Sequence, residues 1–330
     1  MKTVKHPLIS VALATYNGEK YLSEMLDSIE AQDYPHIELM IADDASTDST
    51  PRLLQERAWR RSCKRLQTSD RLGVIGNFDR AIAACMGDYV AFADQDDIWR
   101  EDKLSRMLAR MQTLEQQRGR DTPLLIFSDL ALIDEHRALL ADSFFTHAKK
   151  SPHCAKFEDF LVSNHVPGCA MLVNRALIQR AMPVPPTFHM HDWWFIMVAA
   201  AFGAIDYIDA PLIQYRQHTS NTVGVPRRHG LARRFRNAMQ AEAWRRYLFP
   251  PVERIHRTMQ NIALFEARYR NDLPLAVHET LRALQACEKS WWRCLRFFAR
   301  SKTGESVMFS LLTLRAIASF SVATRLASQD

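Results

Sequence analysis

The chain has 330 residues, 47% of them apolar and 24% charged, with only 10 Gly. That is enough to bury a core without staples, and it excludes a fibre, a linker or a disordered segment. The net charge of +6 is uneven: from Pro226 onward there are 19 Lys/Arg against 8 Asp/Glu, whereas the earlier part carries 24 against 29. An acidic front and a basic, aromatic-rich back suggest a catalytic domain over 1–225, followed by a basic region, 226–330, that meets something anionic. The six cysteines contain no C-x-x-C pair and are expected to be free thiols of a reducing compartment. Met1 to Ala14 imitates a signal peptide. The run Leu8 to Ala14 is short for one and reads better as a buried strand.

In chain order, Leu8 to Ala14 predicts a strand, and Leu22, Met25, Leu26 and Ile29 fall at the spacing of one helix face. Ile37 to Ala42 predicts a second strand. Thr50-Pro51 opens a helix that should run to about Ser62. Ile75, Phe78, Ile82 and Cys85 mark another helix, Tyr89 to Ala93 a strand, Lys103 to Gln117 a helix and Leu124 to Leu130 a strand. Gly168 to Val173 reads as a strand and Asp192 to Phe202 as an apolar helix. Two short strands are expected around Ile205 to Ile208 and Leu212 to Tyr215. The alternation implies an α/β class, with βαβ units and a parallel sheet covered by helices on both faces.

Ligands of such sheets bind beyond the carboxyl ends of the strands. Three polar loops fall there: Thr15-Tyr16-Asn17-Gly18-Glu19, Asp43-Asp44-Ala45-Ser46-Thr47-Asp48 and Asp94-Gln95-Asp96-Asp97. The last of these suits a hard divalent cation, which takes one or two carboxylates and leaves its other positions to water and phosphate oxygens. An acidic turn capping the next helix is the plainer alternative. Asp43 and Asp44 read equally as caps for the helix at Thr50 or as acceptors for the N3–H of a pyrimidine ring. Asp192 stands at a helix start beside Trp193 and Trp194, where a carboxylate can act as a base or simply cap the helix. His189-x-His191-Asp192 lacks the further ligands a zinc site needs.

Thr15-Tyr16-Asn17-x-x-x-Tyr21, Ala42-Asp43-Asp44-Ala45-Ser46-Thr47-Asp48 and Asp94-x-Asp96 resemble the nucleotide-sugar motifs of inverting family 2 glycosyltransferases of GT-A fold. The resemblance spans about residues 7–225. Asp94 to Trp99 with Lys103-Leu104, and Tyr215-Arg216-Gln217-His218 with Asn221, are similar to bacterial polysaccharide rhamnosyltransferases. The resemblance implies that Thr15 and Tyr16 line the base pocket, with Asn17, Glu19 and Asp43 nearby, and that Asp44 reads the pyrimidine. Asp94 would lie against the sugar or ribose, Trp193 would stack on sugar, and Asp96, with Asp94 and His218, would hold Mg²⁺ or Mn²⁺. The base would be Asp192, second residue of a pair that the family usually writes Glu-Asp and this chain writes His191-Asp192.

The implied activity is transfer of L-rhamnose from dTDP-L-rhamnose, or of a sugar from a related dTDP- or UDP-sugar donor. The implied acceptor is a lipid-linked bacterial glycan such as O-antigen or capsule. The implied location is cytoplasmic, at the inner face of the membrane. In the basic region, Trp, Phe and Arg interleave over Ser290 to Arg300, and Val307 to Ala323 is apolar apart from Ser and Arg315, a pattern that suits an interfacial helix or a packed helical cap. Two rival functions make different demands on the sequence. A sugar-nucleotide nucleotidyltransferase should carry a Gly-rich triphosphate loop after the first strand, where this chain has one glycine. A nucleic-acid-binding protein would leave the acidic loops without a use, and no nucleic-acid partner is expected.

Overall fold

The computed structural model describes residues 6–218, 252–287 and 290–300. The sequence readings that fall on Arg227 to Arg236, Asn221 and Val307 to Ala323 lie outside these residues. The chain divides into two compact units, one of Met1–His147 with Val166–Gly224, the other of Ala148–His165 with Val225–Asp330.

The first unit is a mixed sheet of nine strands flanked by helices. Strands β1 (Ile9–Thr15), β2 (Ile37–Asp43), β3 (Ser62–Leu66) and β4 (Tyr89–Asp94) run parallel in the order β3-β2-β1-β4. β1, β2 and β4 are near-continuous apolar runs because helices cover both faces, so no alternation is required of them. Beyond β4 the sheet continues through β8 (Met171–Asn174), antiparallel to both β4 and β6 (Leu124–Ile133). It then passes to β9 (Ala204–Arg216), parallel to β6, and to the short β5 (Ile98–Trp99), antiparallel to β9. β7 (Leu139–Ala141) pairs with β6 as a hairpin arm. The long ladders are the parallel ones.

Helix α1 (Leu22–Glu30) buries Leu22, Met25, Leu26 and Ile29, the stripe that its spacing predicts. α2 spans Thr50–Glu56, α3 Gly73–Ala83 and α4 Lys103–Arg118. After α5 (Phe144–Ala148) and α6 (Arg175–Ala181) comes α7 (His191–Phe202), apolar all round and buried from His191 to Ala199, as a helix inside a core must be. In the second unit, helices Val252–Tyr269, Leu275–Ala286 and Trp291–Arg300 are described together with a 3-10 turn, Phe157–Phe160. Phe157 stacks 5.1 Å from Phe265 and shares its burial.

Four local expectations change. The helix at Thr50 stops at Glu56, and Ser62–Leu66 forms the half-exposed edge strand β3, which the polar run Ser62-Cys63-Lys64-Arg65 conceals. Gly168 belongs to a 3-10 turn, Gly168–Ala170, and the strand begins at Met171. The two short strands expected near 205–215 are one strand, β9. Its register against β6 shifts around Asp129, opposite Pro211, whose ring nitrogen has no hydrogen to donate.

Candidate active site

The carboxyl ends of β1, β2 and β4 lie side by side because the strands are parallel and in register: Thr15 faces Asp43, and Ala14 faces Asp94. The first two loops are knitted together by their own polar groups. Thr15 Oγ1 donates to Asp43 Oδ1 at 2.8 Å, and Asp43 also accepts from the Ser46 hydroxyl (2.6 Å) and amide (3.0 Å). Asn17, at φ 48°, is in the left-handed region that asparagine tolerates. Its amide donates to Ser46 Oγ at 2.9 Å, and its Oδ1 accepts from Thr47 N at 2.9 Å. Glu19 and the 48–49 turn bind reciprocally: Glu19 N donates to Asp48 Oδ2 (3.1 Å) and Ser49 N to Glu19 Oε2 (2.9 Å). Asn77 of α3, buried beneath, donates to Ala42 O at 2.8 Å and to Thr15 O at 3.3 Å, closing the seam.

Asp44 is 3% exposed and caps a helix, though not the one at Thr50. Its Oδ1 accepts from Leu72 N (2.6 Å) and its Oδ2 from Gly73 N (2.9 Å), at the start of α3. A carboxylate offers about four acceptor directions, so these bonds leave room for a ring N–H. Beside it, the Arg71 guanidinium lies 3.8 Å over the Tyr16 ring and 3.9 Å from Asp44 Oδ2. Tyr16, Arg71 and Asp44 thus form one cluster with a flat cationic and aromatic surface next to a buried acceptor. Nothing in the local sequence around Arg71 marks it. Only the fold brings it 55 positions back to Tyr16.

The third loop differs. Gln95 ties it to the first, its amide donating to Tyr16 O (2.9 Å) and its Oε1 accepting from Tyr16 N (2.8 Å). The three carboxylates then point to different surroundings. Asp96 Oδ2 lies 2.8 Å from His218 Nε2, whose ring rests 4.9 Å from Tyr21. Asp97, fully buried, turns inward and accepts from Arg216 N at 3.2 Å. Asp94 lies near both. Burial, then the neighbouring Asp96 and Asp192 carboxylates, push its carboxyl up to about 7, and burial with Asp96 and Asp94 drives Asp97 well above the usual range. Crowded carboxylates of this kind carry surplus negative charge that a cation relieves.

Two basic residues lie within reach of that cluster. Lys103, first residue of α4 and fully buried, donates to Cys169 O at 2.8 Å with its ammonium 3.2 Å over the Trp99 ring. Burial pulls it down to about 7 against the opposing pull of Asp97 and Asp94. Arg216, also buried, donates to Asp96 O (2.8 Å) and to Glu24 Oε2 (2.6 Å). In the sequence these two belong to motifs that assign them no role. Their burial, which depends on contacts 66 and 120 positions away, explains why they stand there.

Asp192 is in the first turn of α7, 9% exposed, its Oδ1 accepting from Trp193 N at 2.6 Å. It is close enough to Asp94 to raise that carboxyl. The 3-10 turn presses against it: a Cβ on Gly168 would lie 3.2 Å from Asp192 Cβ and 3.1 Å from His191 Nε2. Trp193 is 5% exposed and meets Phe188 and His189 edge-on, so most of its indole is enclosed around the helix start.

For a metal, Asp96 with His218, and Asp94 beside them, offer oxygen and imidazole donors that fit Mg²⁺ or Mn²⁺. Among the described residues the three potential ligands whose atoms lie within 4.8 Å of one another are Asp94, Asp97 and the Cys169 thiol; Asp96 and His218 are a pair outside that grouping. The Lys103 ammonium adjoins it.

A curled, mixed α/β sheet flanked by helices, with three polar loops at the carboxyl ends of β1, β2 and β4, is a fold of GT-A type. The profile of glycosyl transferase family 2 matches residues 10–177, and the chain belongs to that family. It is 28% identical over 227 residues to the uncharacterized glycosyltransferase alr2836 of Nostoc sp., covering 64% of this chain and 66% of that protein. It is 28% identical over 234 residues to the dTDP-rhamnosyl transferase RfbG of Shigella flexneri, covering 64% of this chain and 73% of RfbG. Some curated relatives are matched over less than half their length, 42% for TuaG of Bacillus subtilis. Residues 1–349 of TarS from S. aureus, solved with UDP, share the fold at a TM-score of 0.52 and 17% identity, covering 96% of this chain and 92% of that one.

Proposed function

We propose that this glycosyltransferase is metal-dependent and inverting, moving L-rhamnose from dTDP-L-rhamnose onto a lipid-linked glycan at the inner face of the cytoplasmic membrane. The observation that carries the chemistry is the meeting of Asp94, Asp96, His218 and Asp192 at one sheet edge, with Asp94 pushed up to about 7. Asp96, Asp94 and His218 would hold Mg²⁺ or Mn²⁺, which when bound neutralises charge on the departing nucleoside diphosphate. Tyr16, Arg71 and Asp44 receive the pyrimidine: an aromatic ring and a guanidinium offer flat stacking surface, and the carboxylate accepts from N3–H. Asp192 removes the proton from the acceptor hydroxyl, a task that contributes about 10² to 10⁴-fold to the rate.

The choice of rhamnose is supported by the likeness to RfbG and by the Asp94-to-Trp99 motif. The membrane assignment is supported by helix Trp291–Arg300, on which Trp292, 77% exposed, and Leu295 stand beside the exposed Arg293 and Arg296. Among the described residues no helix is long and apolar enough to cross a membrane.

The test is a donor panel. The protein with Mn²⁺ should release nucleoside diphosphate from dTDP-L-rhamnose faster than from UDP-GlcNAc, UDP-glucose or GDP-mannose, and chelator should stop it. Preference for another donor overturns the rhamnose assignment, and full activity in chelator overturns the metal.

A further inference from the structure

His191 opens α7 and is 3% exposed. Its ring is stacked on Phe78 of α3, 3.8 Å between centroids and 18° from parallel, and it meets Phe92 of β4 at 5.8 Å. On a third side stands Gly168, where a Cβ would come within 3.1 Å of Nε2. Both ring nitrogens are buried and neither has a hydrogen-bond partner. Burial alone pulls the imidazole down to about 3, so it stays neutral near pH 7. A histidine that exchanges protons needs water, substrate or a polar partner at a ring nitrogen, and this one is enclosed by two phenyl rings and a glycine backbone. What the surroundings use is the flat face of the ring.

We infer that His191 is a positioning residue: its ring, wedged between Phe78 and Gly168, fixes the first turn of α7 and so aims the Asp192 carboxylate. The inference rests on the reading of Asp192 as base. Asp192 is the next residue, and a Cβ at Gly168 would meet both side chains, so the wedge and the base share one wall. A displacement of about 1 Å at such a base is enough to lower a rate about 10²-fold. A carboxylate at 191 would be set against Phe78 and Phe92 with nothing to pair it, which gives a physical reason for an uncharged ring here.

The test compares His191→Ala with His191→Phe, following turnover of dTDP-L-rhamnose, or of whichever nucleotide sugar the donor panel selects, beside calorimetry of dTDP with Mn²⁺. His191→Ala should lose about 10² in kcat with the dTDP Kd unchanged. His191→Phe, which restores the flat ring and no nitrogen, should recover at least a third of the wild-type kcat with the same pH profile. Equal loss in the two variants, with dTDP binding intact, would show that the imidazole nitrogens are needed and overturn the inference, as would full activity of His191→Ala. Should either variant fail to fold, ¹⁵N spectra of wild-type protein labelled at histidine decide: a His191 ring neutral from pH 5.5 to 8 supports the wedge, and one that titrates there overturns it. Failure of the base reading appears separately, as normal turnover of Asp192→Asn.

Discussion

The two halves of the sheet edge use the same residue type in opposite ways. At the ends of β1 and β2, Asp43, Asp44 and Asp48 each accept from backbone amides, and those bonds set the shape of the loops. At the end of β4, Asp94, Asp96 and Asp97 crowd one another and Asp192, so that Asp94 and Asp97 are driven above the usual carboxylate range. An aspartate that accepts from amides shapes its loop, and one such as Asp44 keeps acceptor directions free for a ligand as well. One that faces other carboxylates is a site awaiting positive charge.

The contrast breaks most sharply at Asp96. Asp96→Asn should abolish transfer, by 10²-fold or more, and remove Mn²⁺ binding measured by calorimetry while leaving the melting temperature nearly unchanged. An active Asp96→Asn would mean that the crowded loop is also scaffold. Next comes Gly168→Ala, whose added methyl meets Asp192 Cβ at 3.2 Å. We expect kcat to fall about tenfold or more with dTDP affinity kept.

Asp94 gives the contrast a pH dependence. Its folded pKa of about 7 lies above the unfolded carboxyl value, so the folded state holds the extra proton between about pH 4 and pH 7. Stability of the metal-free protein from this group is therefore greatest at low pH and is lost as pH rises through 7. Lys103, pulled down to about 7, acts only above that pH, where it adds stability as pH rises. His191, pulled down to about 3, acts in the opposite sense over nearly the same range and Asp97 in the same sense, so the readout is a difference between metal-free melts. Relative to wild type, Asp94→Asn should remove one decline in stability between about pH 4 and pH 7, and Mn²⁺ at pH 7.5 should raise the melting temperature of the wild type. An Asp94→Asn profile that runs parallel to that of the wild type would contradict the crowding. On the scaffold side, Asp44→Ala removes the cap of α3 and should cost about 1 kcal/mol, as read by urea unfolding. The smallest effect belongs to Lys20→Ala, which breaks an exposed, solvent-screened pair with Glu135 and should leave the urea midpoint nearly unchanged.

What could be read without coordinates follows from local pattern. Apolar runs and helical spacing give β1, α1, β2 and β4, and the rule that ligands sit at carboxyl ends selects the three loops. Ser62–Leu66 escapes because an edge strand is half solvated and its residues read as a loop, and β9 was split because Pro211 interrupts a ladder that resumes beyond it. Within the site, residue types were legible and partners were not. Asp44 could be expected to cap some helix, and the structure shows that it caps α3. Arg71 over Tyr16, Lys103 beneath Cys169 and Gly168 against Asp192 are contacts between distant segments that no short window contains.

The division of labour between the two halves is tested most directly by calorimetry of dTDP with Mn²⁺ beside a transfer assay on Asp192→Asn and Asp44→Ala. Asp192→Asn should bind dTDP as the wild type does while transfer falls by about 10² or more, and Asp44→Ala should lose dTDP affinity first. Normal turnover of Asp192→Asn, or loss of dTDP binding in it, would contradict the account.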